Sequence, residues 1–313
     1  MDRRTFVKGI VSGGVIMAVP GLTGCAGRVS KVPRIANTNP SRALVAWYSQ
    51  TGHTAQIGRV IADAWRKAGL VVDARDYRDI QPSAVTGYDM IAVGTPVFYM
   101  NVPDNLRDWL AALPPLDGVA AASFVTFGGH GDGQEYTCAR LLSLLADKGA
   151  APVGSGMSGN MSTFAPTWSS GNSARTLKYR HLPDQDTFRL AAGFADRMLA
   201  AVRRGETVNP SGLFGFQAIG AALPQVALTK LAMSEHHIDL KTCIRCELCV
   251  EKCPTDSIAL GAGTVDAKTC LACFGCVNNC PTGAMRMRFA GHDVWGFTEL
   301  LKRNDIKIQE PTV

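Results

Sequence analysis

A duplicated cysteine spacing constrains this sequence more than any other feature. Eight of the ten cysteines lie between residues 243 and 280. They form two copies of C-x2-C-x2-C-x3-C-P, with cysteines at Cys243, Cys246, Cys249, Cys253, Cys270, Cys273, Cys276 and Cys280, followed in each copy by Pro254 or Pro281. Three thiolates two residues apart in a tight loop can each reach a different iron of one cubane, and the proline stops the fourth cysteine from continuing a helix. The repeat therefore predicts metal clusters in the C-terminal part of the chain.

The segment resembles the two-cluster ferredoxins of bacteria, in which three close cysteines bind one cluster and the fourth binds the other. It differs from them at Arg245 and Glu247, which stand where small residues are common, but every ligand is present. The resemblance implies two [4Fe-4S] clusters. One would be held by Cys243, Cys246, Cys249 and Cys280, and the other by Cys270, Cys273, Cys276 and Cys253.

Zinc and disulfide bonds are the alternatives for this pattern. Zinc sites favour two separated pairs of ligands over two groups of four, and disulfides do not require a duplicated spacing. Clusters are therefore the preferred interpretation. Of the remaining cysteines, Cys138 is expected to be a buried small apolar residue, and Cys25 belongs to a motif near the start of the chain.

Length and composition indicate a folded protein with room for two domains. The chain has 313 residues, of which 46% are hydrophobic and 19% are charged, so it can bury a core of ordinary size. The formal net charge is +6. No basic stripe with interleaved aromatic residues accompanies this charge, so nucleic acid is not an expected partner.

The start of the chain contains two export motifs. Arg3 and Arg4 match a twin-arginine signal, an apolar run follows from Gly9 to Val19, and residues 22–25 read L-T-G-C, which matches a bacterial lipobox. A membrane anchor is the alternative. It is disfavoured because residues 9–24 are shorter than the ~20 residues that span a bilayer.

These motifs predict a location for the protein. Residues 1–25 are expected to act as a twin-arginine lipoprotein signal, and residues 26–42 as a tether. Twin-arginine transport carries folded proteins, which suits clusters that are assembled before export. We expect the mature chain to be anchored through lipid on Cys25 to the periplasmic face of the cytoplasmic membrane.

Hydroxyl and glycine residues follow the first predicted strand, Ala43 to Tyr48. Residues 49–54 read S-Q-T-G-H-T and precede an amphipathic helix from Ala55 to Lys67. Backbone N–H groups at the positive end of a helix bind phosphate, although a simple helix cap is the alternative. The loop resembles the first loop of the flavodoxin family, which wraps the terminal phosphate of FMN. The resemblance assigns this role to Ser49, Thr51, Gly52, His53 and Thr54.

Two later loops resemble the other flavin loops of flavodoxins. Residues 95–103 follow the third predicted strand, Asp89 to Gly94, and residues 128–133 follow the fourth, Ala121 to Phe127. An aromatic residue in the second loop can stack on the isoalloxazine, with core packing as an equal alternative. Glycines in the third loop let the backbone approach a flat ligand. The resemblance implies that FMN also contacts Thr95, Pro96, Phe98, Tyr99, Gly128, Gly129, His130 and Gly131.

The alternation of strands and helices is typical of a doubly wound parallel sheet. The remaining predicted strands and helices are Leu70 to Ala74, 104–112, 134–148, Ala151 to Met157 and 183–204. We expect an α/β flavodoxin-like doubly wound sheet of five parallel strands in the order 2-1-3-4-5, over residues 43–207. A small α+β two-cluster ferredoxin domain is expected over residues 236–290. The three loops would form one site at the carboxyl ends of the strands.

Several weaker signals have ordinary structural interpretations. Residues 154–159 satisfy G-x-G-x-x-G, but they follow the last strand and no helix begins there, so no NAD(P) site is expected. Residues 208–235 are interpreted as a linker that packs between the domains and does not span a membrane. His236 and His237 are expected to be solvated. Residues 291–313 are interpreted as an extension whose helix covers the cluster domain.

The order of the two domains resembles the flavodoxin-ferredoxin fusion family, although the export motifs set this chain apart from cytoplasmic members. The resemblance implies that FMN exchanges electrons with two [4Fe-4S] clusters and with a redox partner protein. An FMN-dependent oxidoreductase that reduces a small acceptor such as a quinone is the alternative. No acid, base or nucleophile cluster accompanies the flavin loops, which favours the electron carrier. A third possibility is a flavin-free scaffold that only docks the clusters.

Overall fold

The computed structural model describes residues 32–129, 133–210 and 223–312. Within these ranges the chain forms a five-stranded parallel sheet and a five-stranded antiparallel sheet. The strands of the parallel sheet are β1 (Arg42–Trp47), β2 (Val71–Asp76), β3 (Met90–Pro96), β4 (Ala120–Phe127) and β5 (Ala151–Gly159). Their spatial order is β2-β1-β3-β4-β5. The predicted doubly wound sheet and its strand order are therefore confirmed.

Helices cover both faces of this sheet, because each strand alternates its side chains between two apolar layers. The helices are α1 (His53–Lys67), α2 (Asp104–Ala111), α3 (Gly133–Ala146), α4 (Pro166–Ser169), α5 (Ser173–Leu177) and α6 (Gln185–Arg203). In β1, Val45 packs in the same core as α1 and α6, whereas its neighbour Leu44 packs in the core that contains residues of α2 and α3. Residues 42–203 are called the parallel-sheet domain below.

The second sheet belongs to a smaller domain with short elements. They are α7 (Gln225–Leu231), β6 (Met233–Ile238), α8 (Leu248–Glu251), β7 (Ile258–Ala259), β8 (Thr264–Val265), α9 (Gly275–Asn279), β9 (Met285–Phe289), β10 (His292–Asp293) and α10 (Phe297–Arg303). The strand order is β10-β9-β6-β8-β7, which agrees with the α+β domain expected from the cysteine repeat. Residues 225–303 are called the cluster domain below.

One apolar core is shared by the two domains. Met161 and Trp168, from the segment after β5, are buried in the same cluster of side chains as Met285 of β9. The indole nitrogen of Trp168 donates a 2.8 Å hydrogen bond to the carbonyl oxygen of Trp295. Since a shared core is lost when its halves separate, the domains are expected to hold a fixed relative position.

The C-terminal helix packs more widely than the sequence predicts. Phe297, at the start of α10, lies in the shared core, and its ring centroid is 5.6 Å from that of His53 in α1. The tail beyond α10 also contacts the parallel-sheet domain, because the side-chain amide of Gln56 donates to the carbonyl oxygen of Gln309 at 2.9 Å. The extension therefore covers both domains and not the cluster domain alone.

Several sequence predictions lie outside the described residues. These are the signal segment with Cys25, the loop residues His130 and Gly131, and residues 211–222 of the predicted linker. The motif at residues 154–159 lies within β5, so it does not form a turn from strand to helix. Among the described residues, no helix combines the length and the apolarity that crossing a bilayer requires.

Candidate functional site

The first set of predicted cluster ligands surrounds one small cavity. Cys243, Cys246, Cys249 and Cys280 all line it. Burial raises the pKa of Cys249, and the neighbouring thiols of Cys280 and Cys243 raise that pKa further. The structure thus places three cysteines of the first copy beside the last cysteine of the second copy.

The second set lies deeper in the protein. Burial raises the pKa of Cys276 well above its usual range, and the neighbouring thiols of Cys273, Cys270 and Cys253 add to the shift. Burial also raises the pKa of Cys273 to about 11. Such buried thiols do not readily lose their protons, so a positively charged metal centre is needed to hold them as thiolates.

The arrangement of the cysteines fits clusters better than zinc or disulfides. All cysteines of the described residues are free. In the same part of the chain, no three Cys, His, Asp or Glu side chains lie close enough together to hold a single metal ion. Zinc would draw its ligands to about 2.3 Å from one centre, whereas a cubane keeps them further apart because each thiolate binds a different iron.

The two cysteine loops have matching backbone conformations. Arg245 and Glu247 have φ values of 56° and 61°, and Ala272 and Phe274 have 55° and 61°. The N–H groups of Arg245 and Ala272 each donate to the sulfur of the cysteine two residues earlier, at 3.4 and 3.3 Å. A left-handed φ costs any residue with a Cβ atom some free energy, because it brings Cβ close to the following carbonyl oxygen. The strain is the same at Arg245 and Glu247 as at Ala272 and Phe274, so the larger side chains of the first copy fit the same loop geometry.

One histidine lies against a predicted cluster ligand, which the sequence interpretation missed. His236 of β6 is half-buried, and its Nε2 lies 3.3 Å from the sulfur of Cys276. Burial lowers the pKa of His236 to about 4, with a smaller contribution from His237. The prediction that His236 is solvated is wrong, whereas His237 is exposed as expected. Strand alternation could have revealed the difference, because Ile238 is buried and lies two residues from His236.

A cavity of about 310 Å³ lies at the carboxyl ends of β3, β4 and β5. Four predicted flavin-contacting residues line it, namely Pro96, Phe98, Tyr99 and Gly128. The sequence interpretation missed other residues of its wall, including Gln50, Asn160, Phe164, Cys273 and Phe274. The size lies at the lower end of the range typical of cofactor pockets.

The cluster domain supplies one wall of this cavity. The side-chain amide of Gln50 donates a 3.0 Å hydrogen bond to the carbonyl oxygen of Cys273. The hydroxyl of Tyr99 donates a 2.8 Å hydrogen bond to the carbonyl oxygen of Ala272. The candidate flavin cavity therefore adjoins the loop that carries the second set of cluster ligands.

The predicted phosphate loop lies at the start of α1. Gly52 precedes the helix with φ 95°, a conformation that glycine adopts without strain. The first N–H groups of a helix have no acceptor within it, so they can bind an anion. Ser49, Thr51 and Gly52 line a second cavity of about 830 Å³, which Arg59 and Arg75 also line.

Among the remaining predicted residues of the flavin loops, Thr54, His53 and Thr95 make contacts inside the protein. The hydroxyl of Thr54 lies 2.8 Å from that of Thr126. The buried ring of His53 packs on Phe297, and burial lowers the pKa of this histidine to about 4. Thr95 is buried, and its hydroxyl donates to the carbonyl oxygen of Pro96 at 3.1 Å. Gly129 has φ 144°, and the place where a Cβ atom would stand on it has no described atom within 4 Å.

The polar groups of the two cavities fit FMN. The hydroxyl of Ser49 and the side-chain oxygen of Asn160 are buried without a hydrogen-bond partner among the described residues. Buried polar groups are normally paired, and an unpaired one costs about 1–3 kcal/mol. Ser49 can donate to a phosphate, and Asn160 can accept from a ring N–H. Ser49, Thr51 and Gly52 would hold the phosphate end, and Phe98, Tyr99 and Asn160 would surround the ring.

Comparisons with known families agree with this division of the chain. Residues 44–146 match the family described as Flavodoxin domain, and residues 235–281 match the family described as 4Fe-4S dicluster domain. The flavodoxin domain implies FMN, and the dicluster domain implies iron–sulfur clusters.

Three similar proteins each cover a part of this chain. An NAD(P)H dehydrogenase (quinone) of Acidovorax ebreus is 25% identical over 140 residues, which cover 36% of this chain and 70% of the relative. The protein of the same description from Chromohalobacter salexigens is 28% identical over 142 residues, with coverage of 36% and 71%. The solved flavodoxin of Streptococcus pneumonia TIGR4 is 19% identical, with a TM-score of 0.40, and is aligned over 51% of this chain and 99% of its own. Together, the two domain matches support an electron-transfer protein that uses FMN and iron–sulfur clusters.

Proposed function

We propose that this chain relays electrons between FMN and two [4Fe-4S] clusters and exchanges them with a redox partner protein. The observation that carries the proposal is the position of Cys273, a ligand of the second set, in the wall of the same cavity as Phe98 and Tyr99. FMN takes up electrons singly or in pairs, whereas each cluster passes one, so the combination converts between the two kinds of chemistry.

The two sets of ligands differ in their access to solvent. Cys276 of the second set is 8% exposed, and the loop of the first set carries the exposed Cys246 and Ile244, the latter 64% exposed. The exposed loop is therefore the side on which a partner can approach. The second set, which adjoins the flavin cavity, contains the buried Cys276, and its other three cysteines are partly exposed.

Cofactor content gives the first test. Protein purified without oxygen is expected to contain eight iron and eight sulfide per chain, as two [4Fe-4S] clusters require, and to release FMN on heating. Clusters without FMN would instead favour a flavin-free scaffold that only docks the clusters. An iron content far below that of two cubanes would contradict the proposed electron relay.

Electron exchange gives the second test. The flavin is reduced by a light flash, and the transfer of its electron to the clusters is then measured by the change in absorbance. Cys276→Ser should suppress the exchange between flavin and clusters, whereas Cys246→Ser should leave its first phase intact. If Cys246→Ser suppresses the first phase as strongly as Cys276→Ser, the second set is not the neighbour of the flavin.

A second candidate function is reduction of a small acceptor such as a quinone. Phe98 and Tyr99 also line a separate cavity of about 530 Å³ together with residues of α7, so an acceptor there would be close to the flavin wall. The names of the two matched relatives are consistent with this chemistry. Rapid turnover of a soluble quinone by the reduced protein, faster than its reaction with oxygen, would favour the enzyme over the carrier.

Export and lipid attachment at Cys25 are also part of the proposal. The support is the sequence of residues 1–25, since these lie outside the described residues. Intact mass of the protein from the membrane fraction is expected to show a chain that begins at a lipidated Cys25. An unprocessed Met1 would contradict export by this route, and recovery of the protein with a redox enzyme would identify the partner.

A further inference from the structure

His236 is the side chain that most clearly distinguishes the two sets of cluster ligands. Its Nε2 lies 3.3 Å from the sulfur of Cys276. Around the first set, hydrogen bonds among the described residues reach the sulfur atoms from the N–H groups of Arg245 and Met285 and from the hydroxyl of Thr282. No imidazole takes part in these contacts within the described ranges.

The direction of the contact follows from the chemistry of a bound ligand. A cysteine that binds iron is a thiolate and has no hydrogen to donate, so the ring nitrogen must be the donor. His236 is half-buried and Cys276 is 8% exposed, so little water competes for this hydrogen bond. A hydrogen bond in such surroundings acts more strongly on charge than it would in water.

We propose that His236 raises the reduction potential of the cluster held by the second set. The electron then resides on this cluster, beside the flavin cavity, in preference to the cluster of the first set. A reduced cluster carries one more negative charge than an oxidised one, and a donor to its ligand sulfur stabilises the reduced form more. His236 therefore acts through Cys276 and helps to determine which of the two clusters holds the electron. The inference rests on the proposed function, because it requires both clusters to be present.

The chain offers a matched control one residue away. His237 lies on the same strand but is exposed, and its Nδ1 lies 2.8 Å from the carbonyl oxygen of Glu235. The experiment is an anaerobic redox titration of the full-length loaded protein, followed by electron paramagnetic resonance. The parent is compared with His236→Phe, His236→Gln and His237→Phe. Cys276→Ser identifies which signal belongs to the second set.

His236→Phe is expected to shift the electron equilibrium of the second-set cluster about tenfold toward oxidation, as loss of a hydrogen bond to a charged group would. This is a fall of about 59 mV for one electron. The other cluster and the flavin should keep their potentials. His236→Gln retains an N–H donor and should recover most of the shift, and His237→Phe should have no effect.

The inference would be overturned if the second-set cluster had the same reduction potential in His236→Phe and His237→Phe. It would also be overturned if His236→Phe lowered the reduction potentials of both clusters equally, because that would indicate a general structural change. If the phenylalanine prevents cluster assembly, His236→Ala provides the same comparison. The failure of the proposed function has a different signature, because the parent protein itself would then lack one or both cluster signals.

Discussion

The side-chain amide of Gln50 donates a 3.0 Å hydrogen bond to the carbonyl oxygen of Cys273, although 223 positions of sequence separate them. On its other side, the carbonyl oxygen of Gln50 accepts a 3.0 Å hydrogen bond from the side chain of Asn279. One residue of the predicted phosphate loop therefore connects to both ends of the segment that carries Cys276. The position of the candidate flavin site thus depends on the docking of the cluster domain.

The Gln50 contact should matter for FMN binding. Gln50→Ala removes a hydrogen bond worth about 1 kcal/mol, so we expect FMN to bind about fivefold more weakly. Gln56→Ala is the matched control, because Gln56 donates a similar 2.9 Å hydrogen bond to Gln309 and does not line the flavin cavity. Titration of each protein with FMN, followed by flavin fluorescence, measures the difference. An equal loss in both variants would mean that Gln50 acts only through general docking.

Ser49 should distinguish FMN from a flavin without phosphate. Its buried hydroxyl has no partner among the described residues, and a hydrogen bond to a phosphate is worth about 1.5–3 kcal/mol. Ser49→Ala should therefore weaken FMN binding at least about tenfold and leave riboflavin binding unchanged. Parallel titrations with the two flavins test this. If both affinities fall equally, Ser49 does not contact the phosphate.

The elements and the ligand types could be predicted because their signals are local. The strand of residues 42–47, the glycine at position 52 and the cysteine spacing each act within a few neighbouring residues. Contacts between the domains have no such signal. Nothing in the immediate sequence around Gln50 or Phe297 indicates that they meet Cys273 and His53, because these pairs depend on the packing of surfaces distant in sequence.

His53 should make the protein less stable in acid. Its ring is 3% exposed, and burial lowers its pKa from 6.5 to about 4. Between these values the unfolded chain binds a proton that the folded chain does not, so stability that is present above pH 6.5 is lost as the pH falls toward 4. From pH 7 to pH 5 the titration of His53 alone should lower the free energy of unfolding by about 2 kcal/mol.

Urea unfolding at several pH values measures this effect. His53→Gln removes one titrating group and should reduce the fall between pH 7 and pH 5 by about 2 kcal/mol, whereas replacement of the exposed His237 by Gln should leave the fall unchanged. The same slope in the parent and in His53→Gln would show that the acid sensitivity has another origin.

The N-terminus of α6 should be a sensitive point for the stability of the parallel-sheet domain. Asp184 accepts hydrogen bonds from the N–H and the hydroxyl of Thr187, at 2.8 and 2.7 Å. Asp184→Ala removes both and should lower the free energy of unfolding by about 1 kcal/mol. Asp186→Ala is the control, since this exposed carboxylate in the same turn pairs with the exposed Arg189. Urea unfolding at pH 7 should show a clearly smaller effect for the control.

Cys253 tests whether the two cysteine copies exchange their fourth ligands. It belongs to the first copy in sequence, yet its thiol lies near that of Cys276 and raises the pKa of that residue. Cys253→Ser should therefore alter the same paramagnetic signal as Cys276→Ser, and leave the signal that Cys246→Ser alters unchanged. The reciprocal variant Cys280→Ser should act on the latter signal. If Cys253→Ser and Cys246→Ser instead disturb one and the same cluster, each copy binds its own cluster and the predicted exchange of fourth ligands is wrong.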